Sequence, residues 1–377
     1  MPHINVGIEI GTSKVCVTVG ERTPGGTLQI LGVGEVPSRG VRKGVIVDKD
    51  MATESVRAAL QDAEEKSEVI INSARLAVSG YQVSSFNHRC PIDLPDHRRM
   101  ISDDDCRAAE RKACEAEIPS ENVFLHTIPQ HYCIDGHPGI LNPVGMIGRR
   151  LEAVFHIVHG SMRLIRDSIR CVREAGIEVE DVIFSPIATA KALLSQTQMT
   201  EGALVIDIGA GTTDYILYSD GVVRQSGTFA IGGAFITHDI CYHFRIPFIL
   251  AEKLKIEHGS ALLEDHLSPC RGTRNAFLLD AELAGREIER EKLNTIIHMR
   301  IRDTLELLKR RLAKEPHLDS PGAGIFLTGG TSLLKGIGPL AEEIFQMPVH
   351  LAYEQSPTDE VFKNPLFSTA LGLLARS

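Results

Sequence analysis

Asp207-Ile208-Gly209-Ala210-Gly211-Thr212-Thr213-Asp214 is the stretch on which the fold turns. An apolar run, Ala203 to Ile206, leads into it, and Tyr215-Ile216-Leu217-Tyr218, which favours a strand, leads out. Strand, acid, Gly/Thr turn and second strand describe a hairpin whose tip presents backbone N–H groups and hydroxyls. Such a tip suits phosphate oxygens, because aligned N–H groups form an anion-binding concavity and glycine allows close approach. The acid beside it suits a hydrated Mg²⁺ bridging those phosphates. A shorter echo, Glu9-Ile10-Gly11-Thr12-Ser13-Lys14, follows the apolar run Ile4 to Ile8. Two such hairpins predict a duplicated fold that grips a nucleotide from both sides.

Neighbouring motifs are excluded by particular residues. A Walker-type loop needs Gly-Lys-Ser/Thr after four variable positions, and no such string occurs. A dinucleotide fingerprint needs a third glycine where Asp214 stands, and then a helix rather than a strand. A third element is Gly324-Ile325-Phe326-Leu327-Thr328-Gly329-Gly330-Thr331-Ser332, a strand feeding a Gly-Gly turn, with Leu333-Leu334 starting the next helix. By itself this is a common junction. After two phosphate hairpins, the better reading is a turn that lets an adenosine ring lie against backbone with no Cβ between.

The 377 residues suffice for two domains or one large two-lobed domain. Hydrophobic residues at 43% and charged residues at 24% allow sizeable cores. A net charge of −9 argues against a nucleic-acid partner, which calls for a basic face. Eight cysteines stand singly, with no C-x-x-C, so reduced buried thiols (Cys16, Cys171, Cys241) and a cytosolic setting are expected. Fifteen histidines contain no His-x₃-His, and His156 and His159 read as ordinary strand-end residues. Met1-Pro2-His3 is not a signal peptide, and no apolar run is long enough to span a bilayer.

Along the chain, strands are expected over 4–10, 14–20, 28–36, 45–47 and 76–78, with an amphipathic helix over 50–67 capped by Asp50. From about Tyr81, short strands (83–88, 123–127, 151–158) surround one helix opened by Ser102-Asp103-Asp104-Asp105, which reads as a small α+β insertion. A helix over 161–175, a strand from Val179 to Phe184 and a helix from Pro186 to Leu194 close the first lobe. The second lobe opens at Ala203. Its strands continue through Val222 to Phe229, and Gly232-Gly233 opens a helix to Phe244. A helix over 249–257, an irregular or β segment over 260–280 and a long helix from about Arg286 to Lys314 follow. The charged side of the long helix reads as a solvated face. Leu366 to Leu374 reads as a final core helix.

Hairpin, hairpin, then strand-Gly-Gly-helix, in that order, resembles the actin/Hsp70/sugar-kinase ATPase superfamily over the whole chain. The closer resemblance is to the FtsA family of bacterial division proteins. It rests on Gly7-Ile8-Glu9-Ile10-Gly11-Thr12-Ser13-Lys14-Val15, on Pro37-Ser38-Arg39-Gly40-Val41-Arg42-Lys43-Gly44, and most specifically on Ile128-Pro129-Gln130-His131-Tyr132 with Asn142-Pro143-Val144-Gly145-Met146. The resemblance implies an α/β, actin-like ATPase fold: two lobes, each with a ribonuclease-H-like core, and an FtsA-type 1C insertion replacing subdomain 1B of actin. It divides the chain into subdomain 1A (1–82 and 161–200), 1C (83–160), 2A (201–229 and 307–355), 2B (230–306) and a C-terminal segment returning to 1A (356–377).

The same resemblance implies the site, with ATP and Mg²⁺ as cofactors. Gly11, Thr12, Ser13 and Lys14 would form one phosphate loop, and Gly209, Ala210, Gly211, Thr212 and Thr213 the other. Asp207 would hold Mg²⁺ through water with Glu9 opposite. Gly232 and Gly233 would lie near phosphates or ribose, Glu252 and Lys255 would contact adenosine, and Gly329, Gly330 and Thr331 would border the base. No catalytic residue is assigned. Efficient relatives often carry an acid or Gln near Ser185-Pro186-Ile187-Ala188-Thr189, and this chain has none there, so slow turnover is expected.

The implied partners are FtsZ, through its C-terminal peptide at 2B near Arg300, Arg302, Lys309 or Arg310; other copies of the chain in filaments; and later division proteins such as FtsN at 1C. The implied location is the cytoplasmic face of the inner membrane at the division site. The family's basic amphipathic membrane helix has no counterpart after Leu374, so lipid binding by this chain itself is not expected. A sugar-kinase role lacks a catalytic acid between the lobes, and an Hsp70 role lacks a following peptide-binding domain. A pilus-assembly ATPase is the alternative, and 37–44 and 128–146 favour division.

Overall fold

In the computed structural model, residues 3–23, 27–94, 99–263, 276–278, 287–313, 321–352, 361 and 364–375 are described. Two five-stranded sheets share one plan. In the first, the antiparallel strands His3–Ile10, Lys14–Arg22 and Leu28–Pro37 are followed by Ser73–Val78 and Glu178–Phe184, which run parallel to His3–Ile10. In the second, Ala203–Ile208, Thr213–Ser219 and Val222–Phe229 are followed by the parallel strands Ile325–Thr328 and Val349–Leu351. By order of appearance, both sheets read third, second, first, fourth, fifth.

The apolar patterning explains where the layers meet. The crossover helix Lys49–Ser67 buries Val56, Ala59, Leu60 and Ala63 on the first sheet. The helix Arg290–Leu312 buries Leu293, Ile297, Ile301, Leu305, Leu308 and Leu312, the i, i+4, i+8 ladder of one broad face, on the second. A third cluster joins the lobes: Phe184, Ile187 and Ala188 meet Val205, Ile216, Phe326 and Leu373. The two helices that close the lobes, Ser185–Leu193 and Ser368–Gly372, pack directly on each other.

Between the fourth and fifth strands of the first lobe sits a separate antiparallel sheet in the order His137–Ile140, Asn122–Ile134, Arg150–Ser161, Val83–Asp93, with the helix Asp103–Ala113 against it. Its strands are longer than sequence patterning suggests, because register shifts within them interrupt strict alternation. His156 is therefore a buried mid-strand residue rather than a strand end; its ring bonds Asn87 Oδ1 and Ser226 Oγ, both at 2.7 Å.

Other elements also differ from the sequence reading. The first long helix is capped by Asp48, whose Oδ1 accepts from Met51 N at 3.0 Å, not by Asp50. Ile288 lies on the strand Glu287–Glu289, and the long helix begins after it. Leu333 ends a short 3₁₀ turn, Gly330–Leu333, and the next helix starts only at Ile337 after the left-handed Gly336. The last helix is confined to Ser368–Gly372. Of the 260–280 segment, 264–275 and 279–280 lie outside the described residues, and Ala276–Leu278 is a strand. Among the described residues no helix is long and apolar enough to cross a membrane, and the described cysteines are all free.

Candidate functional site

The two hairpin tips meet head-on at the floor of a cavity of about 340 Å³ between the lobes. Each tip closes with the same turn bond: Gly11 N donates to Lys14 O, and Gly209 N to Thr212 O, both at 2.9 Å. A Cβ built on Gly211 would overlap the Thr12 side chain, so only glycine lets the tips touch. Thr12 Oγ1 accepts from Gly44 N at 3.0 Å, which ties the first tip to the Gly-rich turn region.

Glu9, Gly11, Thr12, Ser13 and Lys14 all line the cavity from the first lobe. Asp207, Gly209, Ala210, Gly211 and Thr212 line it from the second. Gly233, Glu252 and Lys255, with Gly329, Gly330 and Thr331, add to the second-lobe wall. Two sequence candidates are not brought to the wall. Thr213 is buried and donates to Ile231 O at 2.8 Å. Gly232 caps the helix Gly233–Phe244 and packs on the Gly209-Ala210 backbone.

Three carboxyls converge here. Burial pushes Glu9 up to about 7, opposed by nearby Lys14 and reinforced by Asp207. Burial pushes Asp207 up to about 6, opposed by hydrogen bonds from Thr369 and Thr189 and by Lys14. Burial pushes Asp214 up to about 7, reinforced by Asp207 and Glu9 and opposed by bonds from Ser79 and Thr228. Like charges held together in a desolvated cleft repel, and a divalent cation would relieve that repulsion. Lys14 Nζ is the basic group beside them; it donates to Leu366 O and lies 4.7 Å from the centre of the Phe367 ring.

At the opposite end, Lys255 Nζ reaches Glu252 Oε2 at 2.8 Å, Thr237 Oγ1 at 3.0 Å and Gly233 O at 3.2 Å. Thr237 also donates to Glu252. This network presents one fixed carboxylate and one fixed ammonium, a donor–acceptor pair suited to hydroxyls of a sugar. Gly329, at φ +84°, lays its backbone against Asp207, where a Cβ would collide with Oδ1.

Sequence reasoning missed Asp214, Ser79, Ser185, Leu366 and Thr369, all of which line the cavity. Asp214 was legible: it stands directly across the hairpin from Asp207, and cross-strand partners share a face. No local signal marks the others.

A duplicated sheet of this order with facing hairpin tips defines an actin-like ATPase fold. Solved structures of that kind overlay on it. A PilM–PilN type IV pilus biogenesis complex gives a TM-score of 0.69 at 16% identity, covering 98% of this chain and 97% of the other. MreB5 of Spiroplasma citri bound to ADP gives 0.56 at 15%, covering 98% and 94%. Sequence then narrows the class. The family model described as "Cell division protein FtsA" matches residues 204–372, and that of the "SHS2 domain inserted in FTSA" matches 80–159. The cell division protein FtsA of Pseudomonas aeruginosa is 35% identical over 373 residues, 98% of this chain and 88% of its own length. The chain belongs to the FtsA family of cell division proteins.

Proposed function

We propose that this division protein is a nucleotide-gated adaptor: it binds ATP with Mg²⁺ between its hairpins, polymerises, and links FtsZ filaments to the inner membrane at its cytoplasmic face. The observation that carries the reading is the meeting of the two Gly-rich tips over a shared cavity that also holds three carboxyls and Lys14. The hairpin N–H groups and Lys14 would take the phosphates. Asp207 and Glu9 would hold Mg²⁺ through water; their convergence and the cost of burying them together fit a divalent cation. Mg²⁺ supplies charge neutralisation between the phosphates. Glu252 and Lys255 would meet the ribose, and the Gly329-Gly330 turn the base.

Turnover is slow in this reading. Of the stretch 185–189, only Ser185 reaches the cavity. The third carboxyl, Asp214, lines the cavity with Ser79 Oγ 2.6 and 2.7 Å from its two oxygens.

For the FtsZ tail, the groove between the helices Arg290–Leu312 and Ile337–Phe345 offers Arg302, Lys309 and Arg310 beside Ile344. Glu306 and Glu343 line the same groove; Arg302 pairs with both, and Arg300 with Asp239 at 2.5 and 3.0 Å, so Lys309 and Arg310 are the stronger candidates. The inserted sheet would serve neighbouring copies and later division proteins such as FtsN. Subdomain limits follow the division given above.

The test is direct. Fluorescent ATP titration should give saturable, Mg²⁺-dependent binding, and an FtsZ C-terminal peptide should pull down the chain. ATP binding without peptide capture would leave a nucleotide-binding relative with another partner; no ATP binding would end the proposal.

A further inference from the structure

The C-terminal segment reaches the site without any motif to announce it. Thr369 Oγ1 lies 3.1 Å from Asp207 Oδ2, across 162 residues of sequence. Thr189 Oγ1, from the other closing helix, lies 2.9 Å from Thr369 Oγ1, 3.0 Å from Ser185 O and 3.5 Å from the same Asp207 oxygen. Both threonines are buried, Thr189 at 0% and Thr369 at 2% exposure.

Each hydroxyl has a single hydrogen. Thr369 spends its hydrogen on the carboxylate at 3.1 Å, a charged acceptor and so the stronger one, although Thr189 Oγ1 lies at 2.9 Å. Thr189 then donates to Thr369 or to Ser185 O and acts as a brace behind it. On the other side, Gly329 lies close enough that a Cβ there would collide with Asp207 Oδ1. The carboxylate is thus held on one side by a hydroxyl from a distant segment and closed in on the other by the Gly329 turn.

The segment that carries Thr369 is itself anchored on both lobes. Thr18 Oγ1 donates to Ala370 O at 2.8 Å, Thr328 Oγ1 meets Ser368 Oγ at 2.7 Å, and Arg75 Nη1 donates to Leu373 O and Ala375 O at 2.9 and 2.8 Å. Three residues upstream, Leu366 O accepts from Lys14. One short segment therefore touches the acid of the second hairpin and the cation of the first.

We propose that Thr369 is a positioning residue for metal–nucleotide binding: its hydroxyl presets the Asp207 carboxylate before the cation arrives. This rests on the reading of the cleft as an Mg²⁺–nucleotide site. A threonine that merely fills space would affect folding and all ligands alike. A positioning hydroxyl affects the metal-dependent part alone.

The experiment titrates Mg²⁺ into the full chain at fixed fluorescent ATP, with parallel titrations in EDTA. Thr369→Val should raise the Mg²⁺ midpoint about tenfold and leave EDTA binding within twofold. Thr369→Ser should restore the midpoint, and Thr189→Val should shift it two- to threefold. An unchanged midpoint in Thr369→Val, or equal loss with and without Mg²⁺, overturns the proposal. If Thr369→Val does not fold, Thr369→Cys, which keeps the volume with a weak donor, must shift the midpoint while Thr369→Ser does not; otherwise the proposal falls. Absence of any ATP binding by the unmutated chain overturns the cleft reading itself, and this outcome is read before any variant.

Discussion

In the first hairpin Glu9 stands across the ladder from Cys16; in the second, Asp207 stands across from Asp214. The turn bonds are the same, yet the first tip ends in Lys14 where the second has Thr212. Burial pushes the Cys16 thiol up to about 12, so that position stays uncharged. One hairpin therefore contributes an acid and a cation, the other two acids and a bare Gly-rich turn. The duplicated backbone gives the geometry, and the divergence of charge separates the two halves. In the proposed binding mode the first lobe brings a cation to the phosphates and one carboxyl, Glu9, to the metal, and the second brings Asp207.

Three measurements break or sharpen that contrast. The largest effect is expected from Gly211→Val, because the new side chain drives the tips apart. Affinity for fluorescent ATP should fall at least 100-fold, about 2.7 kcal/mol. A loss under threefold would mean that the tips need not touch.

Next come the paired positions. Lys14→Met should weaken ATP binding by roughly 30-fold, about 2 kcal/mol, whereas Thr212→Val should cost about threefold. Equal losses would erase the division of labour between the hairpins.

The last measurement concerns the feature only one lobe carries, the inserted sheet. It is tied to the second lobe's edge strand by Ser85 Oγ to Ser226 O at 2.7 Å, by Asn87 Nδ2 to Arg224 O at 3.0 Å and by His156 to Ser226 Oγ. His126 Nε2 accepts from Phe184 N at 3.0 Å and so must be neutral. Burial pushes both histidines down to about 4; Lys191 adds to this at His126 and Asp181 opposes it, while His126 adds to it at His156. With the folded value below the unfolded one of about 6.5, their stabilisation is present above pH 6.5 and is lost as pH falls toward 4. Denaturant unfolding at pH 7 and 5.5 should differ by about 1 kcal/mol per histidine. His156→Gln should remove its share of that slope, and an unchanged slope would refute the assignment.

Much of this was legible locally. Alternating and continuous apolar runs marked both sheets, and the acid–Gly–hydroxyl turns marked both tips. Boundaries slipped where a local rule had a close competitor. Asp48 and Asp50 are both cap residues, and only Asp48 has the extended backbone (φ −135°) of a cap. Ile288 fits the helical ladder by spacing but pairs with Phe277 in a two-stranded ribbon. His156 reads as a strand-end residue because it and His159 flank an apolar pair, yet it lies in the middle of Arg150–Ser161. Here the second lobe covers it.

The sequence alone determined the duplicated hairpins, the acids ahead of the glycines, the inserted sheet and the family, since each is written in contiguous residues with a fixed period. It did not reveal that Ser79 meets Asp214, that Thr369 holds Asp207, or that Leu366 accepts from Lys14. Those contacts join positions 135, 162 and 352 residues apart. Periodicity reports which face of an element is apolar. Which distant hydroxyl or carbonyl arrives at a given carboxylate is settled only when the lobes and their closing helices pack.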